Sequence, residues 1–188
     1  MVDHSRMENP LESAARFFSN QPKQLSNLGL VGELTGWKVA RLISPLEGKF
    51  KGLAFGEYSM SAVANCNYNH EHLAPTVGCE CGFHAMFSRN QASDLLIGRR
   101  AGLVLLKVEL FGNAVVHKLG FRSEEQDVVE IHLPPICSKF WCKKRSWGVK
   151  MIGSRWVTVC KSHAIEGTVS VNEMHASLGV DVLVQSDK

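Results

Sequence analysis

Residues 66–85 read CNYNHEHLAPTVGCECGFHA, and the rest of the chain is best understood outward from this stretch. Three cysteines and three histidines fall within twenty residues, together with a Cys-x-Cys-Gly turn. Apolar packing does not call for that mixture. A bound metal ion does, because zinc prefers a tetrahedron of four thiolates or neutral imidazoles. Cys79-x-Cys81 sets two thiolates side by side, and Gly82 lets the backbone fold back around an ion. Cys66 and one of His70 or His72 would complete the shell. His72 is the better choice, because the rigid Ala74-Pro75 turn behind it would fix its approach to the cysteine pair.

A second constellation lies further on: Cys137-x4-Cys142, then seventeen residues, then Cys160-x2-His163. Two knuckle-like pairs separated by a hairpin suit a structural zinc site, and Gly148 and Gly153-Ser154 supply the hairpin's turns. With Cys66, His72, Cys79 and Cys81, this second set uses all six cysteines in two Cys3His shells. The expected cofactor is therefore zinc, two ions per chain, although such a shell also suits iron.

Competing readings are weaker. A cysteine can simply be a small buried apolar residue. A redox pair would call for Cys-x-x-Cys in a thioredoxin-like pattern, which is missing. A catalytic zinc would need an open position and a nearby base. His70-Glu71-His72 resembles deaminase and protease signatures only superficially, since neither H-x-E with P-C-x-x-C nor H-E-x-x-H is present. No catalytic residue is assigned. His117 and His132, each alone in a strand, read as core or surface histidines.

With 188 residues and 45% apolar composition, the chain can fold as one domain or two small ones with a real core. Its longest apolar run, around 101–106, is far short of a membrane span. The N-terminus carries acidic residues and no apolar signal core, so a reducing, cytoplasmic setting without membrane contact is expected.

The pattern predicts a short amphipathic helix over 9–20, with Asn9 as cap, and a loop over 21–29. Strands are expected over 37–43, within 52–64, over 102–110 continuing past a turn or bulge at Gly112-Asn113, and over 128–133. A helix is predicted over 83–97 and a solvated turn at 122–125. Further strands over 149–152 and 155–159, a helix over 172–178 stopped by Gly179, and a strand over 180–184 complete the series. The fold class is α+β and β-rich: an antiparallel meander with short helices, two structural zinc sites and a C-terminal zinc hairpin. The segments are a tail and helix over 1–29, a β-rich domain with the first zinc site over 30–135, and a basic zinc hairpin with terminal helix and strand over 136–188.

Charge is distributed unevenly. Residues 137–163 hold Lys139, Lys143, Lys144, Arg145, Lys150, Arg155 and Lys161, seven of the chain's 21 basic residues, and no acid. Phe140, Trp141, Trp147 and Trp156 are interleaved with them. Cations beside aromatic faces suit nucleic acid, with lysine and arginine on phosphates and rings stacked on bases. The residues expected to do this are Lys139, Lys143, Lys144, Arg145, Trp147, Lys150 and Arg155, with Lys143-Lys144-Arg145 at the loop tip. The competing reading makes the tryptophans the core of a small domain and the lysines its solubility. A basic patch also suits an acidic protein surface.

His72-x-Ala74-Pro75-x3-Cys79-x-Cys81-Gly82-Phe83-x-Ala85 is followed by Val108-Glu-Leu-Phe111-Gly112-x-x-Val115-x-His117-x-x-Gly120-Phe121-Arg122-Ser123-Glu124. This order resembles a group of uncharacterised bacterial and phage proteins sharing H-x-A-P-x3-C-x-C-G-aromatic-x-A and a Gly-aromatic-Arg β segment. It covers about the middle third of the chain and departs at His84, where an aromatic is usual. The resemblance implies that Cys66, His72, Cys79 and Cys81 act together and that Gly112, His117, Gly120 and Arg122 share one β unit. It implies no activity.

The functional expectation is a zinc-stabilised macromolecule-binding protein, leaning to nucleic acid through 137–163. The alternative is a protein-binding adaptor or inhibitor, such as a phage might encode. A zinc enzyme with an open site ranks third.

Overall fold

The computed structural model describes residues 23–25, 34–53, 56–66, 71–96 and 102–186. The helix expected over 9–20 and the alternative ligand His70 lie outside the described residues. In chain order the elements are β1 (Lys23–Leu25), β2 (Thr35–Ser44), β3 (Lys49–Gly52), β4 (Glu57–Tyr58), β5 (Ser61–Val63) and β6 (Phe83–Met86). A short helix, α1 (Arg89–Asp94), precedes two long strands, β7 (Leu103–Val116) and β8 (Gly120–Leu133). Then come β9 (Gly148–Ile152), β10 (Arg155–Val159), β11 (Val169–Ser170), α2 (Val171–Leu178) and β12 (Asp181–Val184). The chain is strand-rich, with antiparallel sheets and short helices, as its patterning predicts.

The β7–β8 hairpin organises the molecule. Its antiparallel register runs from Leu105↔His132 to Val116↔Phe121, with shifts at Lys107/Val108 and Phe111/Ala114. The second shift falls on the expected Gly112-Asn113 position, where Gly112 adopts φ 72. There the Asn113 backbone N–H and side-chain amide both donate to Glu124 Oε2, at 3.0 and 2.8 Å, which anchors a bulge. β2 covers the other edge of β7 from Leu103 to Glu109, and β1 covers Ala114 to Val116. The outer edge of β8 is taken in turn by β6, β5 and, in parallel, β12.

β6 also meets β2 at Trp37↔Met86, so β2, β7, β8 and β6 close into a ring. Closure leaves these strands few open edges. The ring is tight on one side: a Cβ at Gly120 would collide with the Ala85 carbonyl oxygen. Inside it Ala40, Leu42, Ala85, Leu106, Val108 and Phe121 are buried together with residues of the surrounding elements. Each fully buried large side chain contributes about 1.5–3 kcal/mol by leaving water.

Four expectations change. The helix predicted over 83–97 is β6 followed, after an extended Ser88 at φ −110 and ψ 131, by the six-residue α1. Pairing with β8 and burial of Ala85 and Met86 outweigh the segment's helical periodicity. The loop expected over 21–29 contains β1, because β7 extends beyond the reach of β2 and offers an open edge. The turn expected at 122–125 lies within β8, and Arg122 and Ser123 are buried. The strand expected over 128–133 therefore begins eight residues earlier, at Gly120.

Past Pro135, β10, β9 and β11 form their own three-stranded sheet. Packing nevertheless crosses the division expected at 135/136. β12 joins β8, while Val149, Met174 and Val182 enter the large core. Trp156 Nε1 donates to the Ile43 carbonyl at 2.9 Å. α2 ends on left-handed Gly179, φ 69, as expected, and begins with a capping box between Ser170 and Glu173 that the expected helix over 172–178 did not include.

Candidate metal centres and the surface they carry

The first group gathers at the entry to β6. Cys66 follows β5, His72 and Cys79 lie in the connecting loop, and Cys81 stands two residues before the strand. Their four ligand atoms lie within 4.8 Å of one another. Cys66 Sγ is 3.3 Å from His72 Nε2 and 3.6 Å from Cys79 Sγ. A tetrahedral ion with Zn–S of ~2.3 Å and Zn–N of ~2.0–2.1 Å would require S···S of about 3.8 Å and S···N of about 3.6 Å. The group therefore fits a metal ion.

The surroundings prepare His72 for this. Its Nδ1 lies 3.1 Å from both the Leu73 carbonyl and Thr76 Oγ1, and the Thr76 hydroxyl donates to Leu73 O at 2.8 Å. A proton on Nδ1 satisfies these acceptors and leaves the Nε2 lone pair facing Cys66, which is the outer-shell arrangement expected around a metal histidine. Gly82 has φ 104, and a Cβ there would stand 2.9 Å from Pro75 Cβ and 3.1 Å from the Ser123 carbonyl oxygen. Only glycine passes this point without strain. Burial pushes the metal-free Cys81 thiol up to about 11, so an ion entering at neutral pH must displace its proton.

Beneath the loop sits Arg122, a residue that spacing alone did not single out. It is only 4% exposed. Its Nη1 donates to the Cys81 carbonyl at 2.8 Å and also to the Cys79 carbonyl, and its Nε donates to His117 Nε2 at 3.1 Å. One guanidinium thus holds the backbone of both paired cysteines. The available signal was the Gly-Phe-Arg segment: with Phe121 turned into the core, strand alternation puts Arg122 on the opposite face, across from His84 and under the metal loop.

The second group joins the start and end of the basic segment. Cys137 follows an isolated bridge between Ile136 and Arg145, Cys160 follows β10, and His163 closes a 3-10 turn, Lys161–His163. The four ligand atoms again lie within 4.8 Å of one another. His163 Nδ1 is 3.5 Å from Cys137 Sγ and 3.4 Å from Cys160 Sγ, while Cys142 Sγ is 3.8 Å from Cys160 Sγ. Here the imidazole offers Nδ1 rather than Nε2. Backbone bonds from Cys137 to Lys144, Cys142 to Lys139 and His163 to Cys160 shape the two knuckles.

The Cys137–Cys142 knuckle carries the most prominent surface feature. Phe140 and Trp141 are 80% and 85% exposed, and their rings meet edge to face with centroids 4.8 Å apart. Trp141 has φ 63, a left-handed conformation that glycine or asparagine adopts more readily. Lys139, Lys143, Lys144 and Arg145 are exposed around the rings. Lys144 donates to Ser162 Oγ at 2.9 Å and Arg145 to the Val184 carbonyl at 3.0 Å. Trp147 is partly exposed. Lys150 and Arg155 share one face of the β9–β10 hairpin by register, Lys150 half-buried and Arg155 exposed. Trp156 packs against the large core, so the aromatic-core reading holds for it and fails for Trp141.

His132 is buried, with Nε2 2.8 Å from Glu130 Oε2 and its ring against Trp37. Among the described residues no helix is long and apolar enough to cross a membrane. Comparison of the chain with protein families, with curated proteins and with solved structures returns no match.

Proposed function

We propose that this protein binds single-stranded nucleic acid through the knuckle at 137–145, with zinc in both Cys3His groups. Thiolate-rich tetrahedral shells select zinc among common intracellular ions. Four protein donors complete each tetrahedron and leave no open position for water, which weighs against a catalytic ion.

The observation that carries this reading is the Phe140–Trp141 pair, displayed among four cations on a loop pinned by Cys137 and Cys142. Exposing two large rings forfeits burial, and placing tryptophan at positive φ adds a conformational cost. Stacking on bases offsets both, at about 1–3 kcal/mol per base, while the lysines and arginine meet phosphates. Lys150 and Arg155 would extend the basic track along the hairpin. The rival reading, a protein-binding adaptor or inhibitor, draws on the exposed Met151, Ile152 and Ile165.

The test is anisotropy with a labelled oligothymidine of about a dozen nucleotides, across a salt series. Affinity should fall steeply with salt and drop further in the K143A/K144A/R145A protein. Trp141→Ala should weaken binding roughly 5- to 100-fold with unchanged circular dichroism. Affinity indifferent to the triple substitution sinks the nucleic-acid reading. A single partner recovered from nuclease-treated extract would then favour the adaptor.

A further inference from the structure

A cavity of about 390 Å³ opens between β2, β4–β5 and β6. Its volume falls in the ~300–1,000 Å³ range of small-molecule sites. Its walls are largely apolar, with Val39, Ala62, Ala85 and Met86 among them, and Cys81 and Gly82 contribute one side.

The polar groups at this cavity are unusual in kind. Lys38 Nζ lies 4.5 Å from the ring centroid of Tyr58 and 5.1 Å from that of Phe83. Its hydrogen-bond partner is Gln126 Oε1, at 2.8 Å, a neutral oxygen on β8. Among the described residues no carboxylate pairs with it. The Tyr58 hydroxyl and Gln126 Nε2 are both shut away from water and have no hydrogen-bond partner among the described residues. Glu57 and Glu80 also line the cavity but are solvent-exposed, so water screens them. The enclosed ammonium therefore has a neutral acceptor but no counter-charge, and two buried donors lack an acceptor, where buried polar groups are ordinarily paired.

We propose that this cavity is a binding site for a small organic carboxylate with an apolar body. Its carboxylate would sit against Lys38 Nζ and accept from the Tyr58 hydroxyl, while its apolar part would fill the space along β6. Charge-assisted hydrogen bonds in a dry site are the strong ones, and a carboxylate supplies the acceptors that the protein lacks there. Burial holds the Lys38 ammonium down at about 7, as expected for a cation awaiting a counter-charge. The aromatic faces of Tyr58 and Phe83 stabilise the ammonium in the meantime. This site stands independently of the nucleic-acid reading, since it uses none of the knuckle residues.

The experiment titrates metal-loaded, full-length protein with hexanoate, 4-phenylbutyrate and indole-3-acetate, each beside its uncharged primary amide. Binding is followed by calorimetry and by amide chemical shifts. At least one carboxylate should bind, shift the amides of Lys38, Tyr58, Ala62 and Phe83, and exceed its own amide tenfold or more in affinity. Lys38→Met should abolish that preference, and Tyr58→Phe should weaken the acid several-fold while sparing the amide. No acid binding below about 1 mM overturns the proposal. So does equal binding of acid and amide, or a Lys38→Met protein that retains the preference. Should Lys38→Met fail to fold, the acid–amide comparison and Tyr58→Phe decide alone.

Discussion

Replacing Arg122 by Met should release the metal from the first group while leaving the second intact. Methionine is unbranched and flexible and refills the space of the arginine stem, so the substitution removes charge and donors more than packing. Three bonds are lost outright: those to the Cys79 and Cys81 carbonyls, which hold the metal loop, and that to His117 Nε2, which does not touch it. The contact to the Thr76 carbonyl, at 3.4 Å, is too long to weigh heavily. Hydrogen bonds to charged groups are worth about 1.5–3 kcal/mol each. Against this, burial already disfavours the guanidinium and lowers its pKa, so removing it recovers part of the desolvation cost. A net loss of about 2–4 kcal/mol follows, or roughly 30- to 1,000-fold in first-site metal affinity. The assay is competition with a graded series of chelators on metal-loaded protein, reading metal per chain. Wild type sets the chelator strength at which each group gives up its ion. The variant should lose one ion at a markedly weaker chelator and keep the other at its original strength. A variant that retains both ions like wild type would refute the view that Arg122 holds the Cys79–Cys81 backbone in its binding shape.

Cys160→Ser should remove one ion and loosen the three-stranded sheet and the knuckle, while resonances of the β7–β8 hairpin persist; metal analysis with amide spectra checks this. Gly120→Ala should cost about 1–3 kcal/mol, because its Cβ meets the backbone of Ala85, which cannot swing aside; urea melts read the loss. Lys38 supplies the pH test. Its side chain is half-buried as a whole, but its ammonium is enclosed, and the folded pKa is about 7 against 10.5 when unfolded. The folded protein therefore binds fewer protons between those values, so the penalty is complete below about pH 7 and fades as pH rises toward 10.5. Lys38→Met should stabilise the protein by on the order of 2 kcal/mol near pH 6 and hardly at all near pH 10, with a difference independent of pH counting against an enclosed ammonium.

Some of this was readable without a structure because it rests on neighbours in sequence. Thiol and imidazole chemistry at short spacing singled out Cys79 and Cys81, and Cys160 and His163, before any distance was known. Alternation in 37–43 and 102–110, the Gly153-Ser154 turn and the Gly179 cap are local codes read one residue against the next. The helix expected over 83–97 failed for the opposite reason. Ala85 and Met86 carry helical periodicity, but their pairing partners Phe121 and Gly120 are remote in the chain. β1 was invisible as a strand because what makes it one is an open edge on β7.

The sequence by itself determined which chemistry is present: two sets of three cysteines and a histidine, a basic aromatic segment and enough alternation for a β-rich core. Tertiary structure alone decided what surrounds that chemistry. It set Arg122 under the Cys79–Cys81 carbonyls across more than forty residues, brought Lys38 to Gln126 across 88, and turned Trp141 outward while drawing Trp156 in. The physical reason is that ligand spacing and turn chemistry act over a few residues. Burial and strand pairing depend on which distant segments close the ring, and no local pattern records that choice.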